Sequence, residues 1–160
     1  MVNPTIILRE QHHSQIKIVL DKLRADATAR IAFLVDKAGQ PLAINGDAGE
    51  LDTTSLASLA AGNVAATDGM AKLIGEREFP TLSHEGERES LYICVIGRAL
   101  LVVVFDDRSS LGLVKLRVKQ ASRDLATVLD TVAREMAESK NKDVALFAEI
   151  TDDDIDSLFN

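Results

Sequence analysis

Ile16, Val19, Leu20 and Leu23 recur at the spacing of one helix face. They predict a first helix starting near Pro4 or slightly later, since proline suits a first helical turn where its missing N–H has no partner. Ala25 to Ala29 lead out of it. The period then changes. RIAFLVD, residues 30–36, is a short apolar run of strand type, Lys37 to Gln40 form a turn, and Pro41 to Asn45 return as a second strand. The proline at its start predicts a sheet edge or a strand terminus. Gly46 to Glu50 read as a loop, after which Asp52 or Thr53 caps a second helix that Gly75 ends. Phe79-Pro80 leads into a weaker strand over about residues 81–87. Ser90 to Ile96 and Ala99 to Asp106 are the clearest strands, joined by Gly97-Arg98, a two-residue loop whose leading glycine suits a type II′ turn. Residues 100–105, LLVVVF, are apolar on both faces, which predicts a central strand covered from both sides. A third helix starts near Ser109 or Ser110 and carries its apolar stripe from Leu111 to Met136, ending at about Glu138. Ser139 to Val144 is polar and predicts a linker before the closing segment FAEITDDDIDSLFN.

The order is α-β-β-α-β-β-β-α. It predicts an α+β fold, a five-stranded antiparallel sheet flanked by helices, over residues 5–138, with a flexible linker and an acidic-hydrophobic tail over residues 139–160. Within the second helix, Leu56, Leu59, Asn63, Met70, Leu73 and Ile74 predict the inward stripe. The other side offers Ser58, Ala61, Ala65 and Gly69, with Asp68 and Lys72 near its end. A helix facing water normally carries charge there. Small residues let another backbone come close, so this face is the candidate contact surface, for a sister subunit, a partner or a neighbouring element of the same chain.

Composition narrows the options. The chain has 160 residues, about one domain, and 46% of them are hydrophobic, enough for a core. A net charge of -7 and an aromatic content of 4% argue against nucleic acid as a main partner. A lone cysteine, Cys94, fits a reducing cytosol and reads as a buried, unreactive thiol. The opening MVNPTIILREQHH lacks a signal-peptide pattern, and the longest apolar run, Ala99 to Phe105, is far too short to span a bilayer.

No phosphate-binding glycine loop, dinucleotide fingerprint or nucleophile elbow occurs, so neither a cofactor nor catalytic residues are expected. His12 and His13 are neighbours that diverge on a helix, so they read as two exposed polar residues rather than metal ligands, and His84 reads as exposed on an edge strand. Asp152, Asp153, Asp154 and Asp156 lack the glycine and distal glutamate of a calcium loop and read as a solvated tail, with no metal. Ile155, Leu158 and Phe159 fall on one side of a helical turn that can order on a partner. Lys115, Arg117, Lys119 and Arg123 read as a solvated helix face, with a docking patch for an acidic partner, or for the chain's own tail, as the alternatives.

One resemblance gathers these features. LDTTSLASLAAGNVAAT with AKLIGE, then FP, HEGERESLY, VVVFDDRSSLGLVKLR and FAEITDDDIDSLF, resemble the Roadblock / dynein-light-chain domain family, and within it the bacterial MglB branch. The resemblance implies a homodimer in which second helices pair and sheets join edge to edge. It implies a cytoplasmic regulator, not itself an enzyme, concentrated at a cell pole, that activates a Ras-like polarity or gliding-motility GTPase of MglA type. The GTPase would dock on the helical face at Ala61, Ala65, Asp68, Gly69 and Lys72, and Ile155, Leu158 and Phe159 would add a second contact that bears on nucleotide exchange. The expected mechanism remodels the GTPase switch regions without an arginine finger. The alternative within the same family is a scaffold that dimerises without altering GTP turnover.

Overall fold

The strand of residues 99–106 does sit at the centre of the sheet. The structure, a computed structural model, describes residues 6–150 and 152–159, with the side chains of Asp152, Asp156 and Phe159 outside that description. Its elements are α1 (Glu10–Ala27), β1 (Ile31–Asp36), β2 (Pro41–Gly46), α2 (Thr53–Leu73), β3 (Thr81–Glu85), β4 (Glu89–Ile96), β5 (Ala99–Asp106), α3 (Leu111–Glu149) and α4 (Asp152–Phe159). The sheet order is β2-β1-β5-β4-β3, and every neighbouring pair is antiparallel. Pro41 opens the edge strand β2, where its missing N–H costs no ladder bond. The β4–β5 turn is tight, with Gly97 at φ +58, a conformation that glycine adopts without strain.

Alternation along β5 divides the interior in two. Leu101, Val103 and Phe105 join Ala32 and Leu34 of β1 in a core closed by α1 and α3. Leu100, Val102 and Val104 join Ile31, Phe33 and Val35 in a second core under α2. Two helices therefore cover one face of the sheet and a single helix covers the other.

α1 begins at Glu10 rather than near Pro4, which lies outside the described residues. Ile6 and Leu8 explain the late start. They pack on the first core while Ile7 stays exposed, a period-two pattern that needs extended backbone. His12 is buried, against the reading of two exposed histidines, because it precedes Ile16 by one helical turn on the inward stripe. Its Nε2 lies 3.3 Å from a carboxylate oxygen of Glu135 on α3. Ser109 Oγ donates to the Ala27 carbonyl at 2.5 Å, tying the start of α3 to the end of α1.

α3 is capped by Ser110, whose hydroxyl accepts from the Leu113 amide at 3.2 Å. It runs 39 residues and passes straight through Ser139 to Val144, so the expected linker is helical. No glycine or proline follows Gly112 in this helix, and an existing helix needs only propagation, not nucleation, to extend into water. Cys94 is half-buried rather than fully enclosed; burial pushes its thiol pKa up, opposed by the Ser122 hydroxyl 3.7 Å away.

Candidate interaction surface

α2 reaches the sheet through Ala57, Ala60, Ala61, Val64 and Ala71. This rotates the helix by part of a turn from the expected orientation. Leu59, Met70, Leu73 and Ile74, predicted inward, are 71%, 59%, 88% and 70% exposed, and Ala61, predicted outward, is 8% exposed. Leu56 and Asn63 are half-buried at the margin. Methyl groups let the helix axis lie close to the already filled strands, and the larger side chains are left on the outer arc.

That arc has its own order. Leu59, Gly62, Ala66, Gly69 and Leu73 follow one another at steps of three and four residues, the spacing of a seam that meets another helix, and all five are exposed. Two large apolar side chains bracket three small ones, which fits a helix crossing near the middle. Beside the seam lie the exposed Ser58, Ala65 and Lys72 and the half-buried Asp68. Of the expected partner-binding residues on α2, Ala65, Gly69 and Lys72 are thus available, Asp68 is partly so, and Ala61 is not. The Oδ1 atoms of Asn63 and Asp68 are buried without a hydrogen-bond partner, two acceptors at the margins of α2. Half-buried Leu82, Leu91 and Val95 continue the apolar character of the same sheet face.

Both ends of α2 are firmly closed. The Asp52 carboxylate accepts from the Ser55 amide at 3.0 Å and from its hydroxyl at 2.6 Å. At the other end Gly75, at φ +84, donates to the Lys72 carbonyl and Glu76 to that of Ala71, the paired bonds of a Schellman cap. The Ser55 hydroxyl, then its amide, hold the Asp52 pKa below its ordinary value of 3.8. A depressed carboxylate stabilises the fold above its unfolded pKa and loses that contribution as pH falls through the folded value. Asp52→Ala is therefore expected to lower the thermal midpoint at neutral pH, and the gap to the parent should close on acidification below 3.8, read by circular dichroism melts across pH.

The tail residues lie elsewhere. Ile155 and Leu158 on α4 are 44% and 81% exposed, so neither is buried against α2, and the Phe159 side chain falls outside the described residues. Among the described residues there is no group of three or more His, Cys, Asp or Glu side chains placed to hold a metal ion, and no helix is long and apolar enough to cross a membrane.

A family model of the Roadblock/LC7 domain matches residues 15–105, from the middle of α1 to the end of the sheet. The chain belongs to the Roadblock/LC7 family. Among solved structures, this Roadblock/LC7 chain is 50% identical to Myxococcus xanthus MglB, with a TM-score of 0.75 over 80% of this chain and 96% of that one. It is 39% identical to the gliding protein MglB of Thermus thermophilus, with a TM-score of 0.77 over 81% and 99%. It is 37% identical to an MglB with tetrameric arrangement, with a TM-score of 0.78 over 82% and 99%. Within its family the chain is MglB-like. No curated protein sequence matches it significantly. The rotation of α2, which turns Leu59 and Leu73 outward and Ala61 inward while Ser58, Ala65, Gly69 and Lys72 stay exposed, was the feature that sequence reasoning missed. Its signal was present, in the heptad spacing of Leu59, Gly62, Ala66, Gly69 and Leu73.

Proposed function

We propose that this chain is a homodimeric activator of a Ras-like, MglA-type small GTPase. The observation that carries the reading is the outward seam of α2, with large apolar side chains in water around a small-residue centre. A sheet face covered by one helix, beside such a seam, supports self-association, the seam of one copy against that of another. The flank of Ala65, Asp68 and Lys72 is then left for the GTPase, with Gly69 on the seam beside it, and the tail residues Ile155, Leu158 and Phe159 supply a second contact.

The activation is indirect. α2 contains no arginine to reach a γ-phosphate. Docking on a rigid helix stabilises one conformation of the GTPase switch regions, in which that protein's own arginine and glutamine meet the phosphate and the attacking water. The absence of chemistry on the face equally suits the second reading, a scaffold without effect on turnover. Hydrolysis of GTP by an MglA-type GTPase, measured with and without this chain, separates them. Acceleration that saturates with added chain is expected; an unchanged rate at saturation leaves the scaffold. Release of labelled GDP, compared with a chain lacking residues 150–160, tests the additional role of the tail in nucleotide exchange.

A further inference from the structure

The groove between α1 and α3 carries polar groups that the packing of the two helices does not use. It holds a cleft of about 560 Å³, with Gln11, His12 and Gln15 of α1 on one wall and residues of α3 on the other. Asp124, Thr127, Thr131 and Glu135 follow one another on α3 at steps of three and four residues, so they form one stripe along the cleft. The Thr127 hydroxyl donates to the Arg123 carbonyl at 3.0 Å, and that of Thr131 to the Thr127 carbonyl at 3.1 Å. With its proton spent, each oxygen can only accept, and Thr131 already does so from Arg134 at 3.5 Å. The stripe is therefore a row of acceptors, anionic at both ends and neutral between. Among the described residues, Asp124 forms no ion pair, and no lysine or arginine lines the cleft.

The end at Glu135 gives a second, independent sign of an unfilled site. His12 is 3% exposed, and among the described residues neither of its ring nitrogens has a hydrogen-bond partner. Buried polar atoms are almost always bonded. Nε2 lies 3.3 Å from a Glu135 carboxylate oxygen, but without the alignment of a hydrogen bond. Arg9 comes within 3.8 Å of the same oxygen from a largely exposed side chain, a contact that contributes little. A donor placed at Glu135 would therefore meet a carboxylate and an imidazole together. The cleft also has an apolar part, supplied by the exposed Ile18 and the half-buried Val19 and Val128. Asp124 and Glu135 are separated by about 16 Å of helix rise. An occupant that meets both acids has to be long, with cationic donors at its ends and methylene groups between.

We propose that this cleft binds a linear polyamine, its terminal ammonium groups at Asp124 and Glu135, its inner amines on the Thr127 and Thr131 hydroxyls, and its methylene segments over Ile18 and Val128. The ammonium at Glu135 also donates to Nε2 of His12 and so supplies a partner that the buried ring lacks. The site lies on the α1–α3 side of the sheet, opposite α2. It does not depend on a GTPase and is measured without one.

Spermine is the probe, titrated into the full-length chain and followed by calorimetry and by Overhauser contacts from its methylenes to the protein methyls. Saturable binding with contacts to Ile18 and Val128 is expected. D124N/E135Q keeps the shape of the cleft, removes both charges and should weaken binding at least tenfold. E50Q/D107N removes as much charge from exposed positions outside the cleft and should change the affinity less than twofold. Putrescine, too short to reach both acids, should bind at least tenfold more weakly than spermine. Equal losses in the two double variants would mean diffuse counterion attraction and overturn the proposal. So would the absence of binding, contacts to other methyls only, or a tetralysine peptide that occupies the cleft where spermine does not, which would assign it to a basic protein segment. The Overhauser contacts are read on the unmodified chain, and circular dichroism of each variant separates a lost site from a lost fold.

Discussion

Ala66→Arg is expected to leave the chain folded and to abolish both self-association and any acceleration of GTP hydrolysis. Ala66 lies exposed at the middle of the α2 seam, between Gly62 and Gly69. A long charged side chain there keeps two helices from approaching and buries an unpaired cation if they do. A loss of at least about 100-fold in affinity corresponds to roughly 2.7 kcal/mol, well within what one buried charge removes from an interface. Ala61→Arg provides the contrast. Ala61 is 8% exposed and faces the sheet, so the same substitution should unfold the domain instead. Melting curves and sedimentation on the two variants check the pair. A soluble, associating Ala66→Arg together with a folded Ala61→Arg would reverse the orientation of α2.

The second large effect belongs to the core. Phe33→Ala should cost about 3–5 kcal/mol of unfolding free energy. Phe33 on β1 is fully buried in the core beneath α2 and lies opposite Val102 of the central strand. Its removal opens a cavity between layers whose backbones are fixed by ladders on both sides, so little relaxation is available. Against a usual total of about 5–15 kcal/mol, that places the domain near its limit. Urea midpoints at one fixed protein concentration would read the loss, since association contributes to apparent stability. A cost below about 1 kcal/mol would mean that the second core is not closed as the burial indicates.

Most of the architecture was legible because its signals are local. Apolar runs bounded by proline, glycine and aspartate mark β1, β2, β4 and β5, and the two-sided run of residues 100–105 placed β5 at the centre of the sheet before any pairing was known. Caps were readable to within one residue, as Asp52 or Thr53 and Ser109 or Ser110, since Asp52, Ser110 and Gly75 act on amides and carbonyls one turn away. The orientation of α2 was not. Ranking side chains by size assigns Leu59, Met70 and Leu73 to the interior, a rule that holds only when a helix has one apolar arc. α2 has two, with alanine inside and leucine outside, and only the tertiary packing decides between them. The end of α3 misled for a related reason, because residues 139–144 lack an apolar stripe yet contain nothing that breaks a helix. His12 looked like a surface residue by type, although its position one turn before Ile16 was the better guide.

The alanine lining of α2 has a mechanical consequence. Helices usually resist displacement along their axes because branched side chains interlock in grooves. Ala57, Ala60, Ala61 and Val64 present shallow ridges to Ile31, Phe33 and Val35, so axial translation meets steric resistance chiefly at Leu56, the one larger α2 side chain packed on that core. Burial of area, which has no direction, fixes how near α2 stays to the strands more firmly than where it stands along them. α2 is therefore the layer suited to shear, able to glide as a rigid body by about 1–2 Å while its capped ends stay intact. A load applied at Leu73 would be delivered through the Gly75 to Pro80 connection to β3, so that strain at one rim of the sheet and occupancy of the helix become a single mechanical variable.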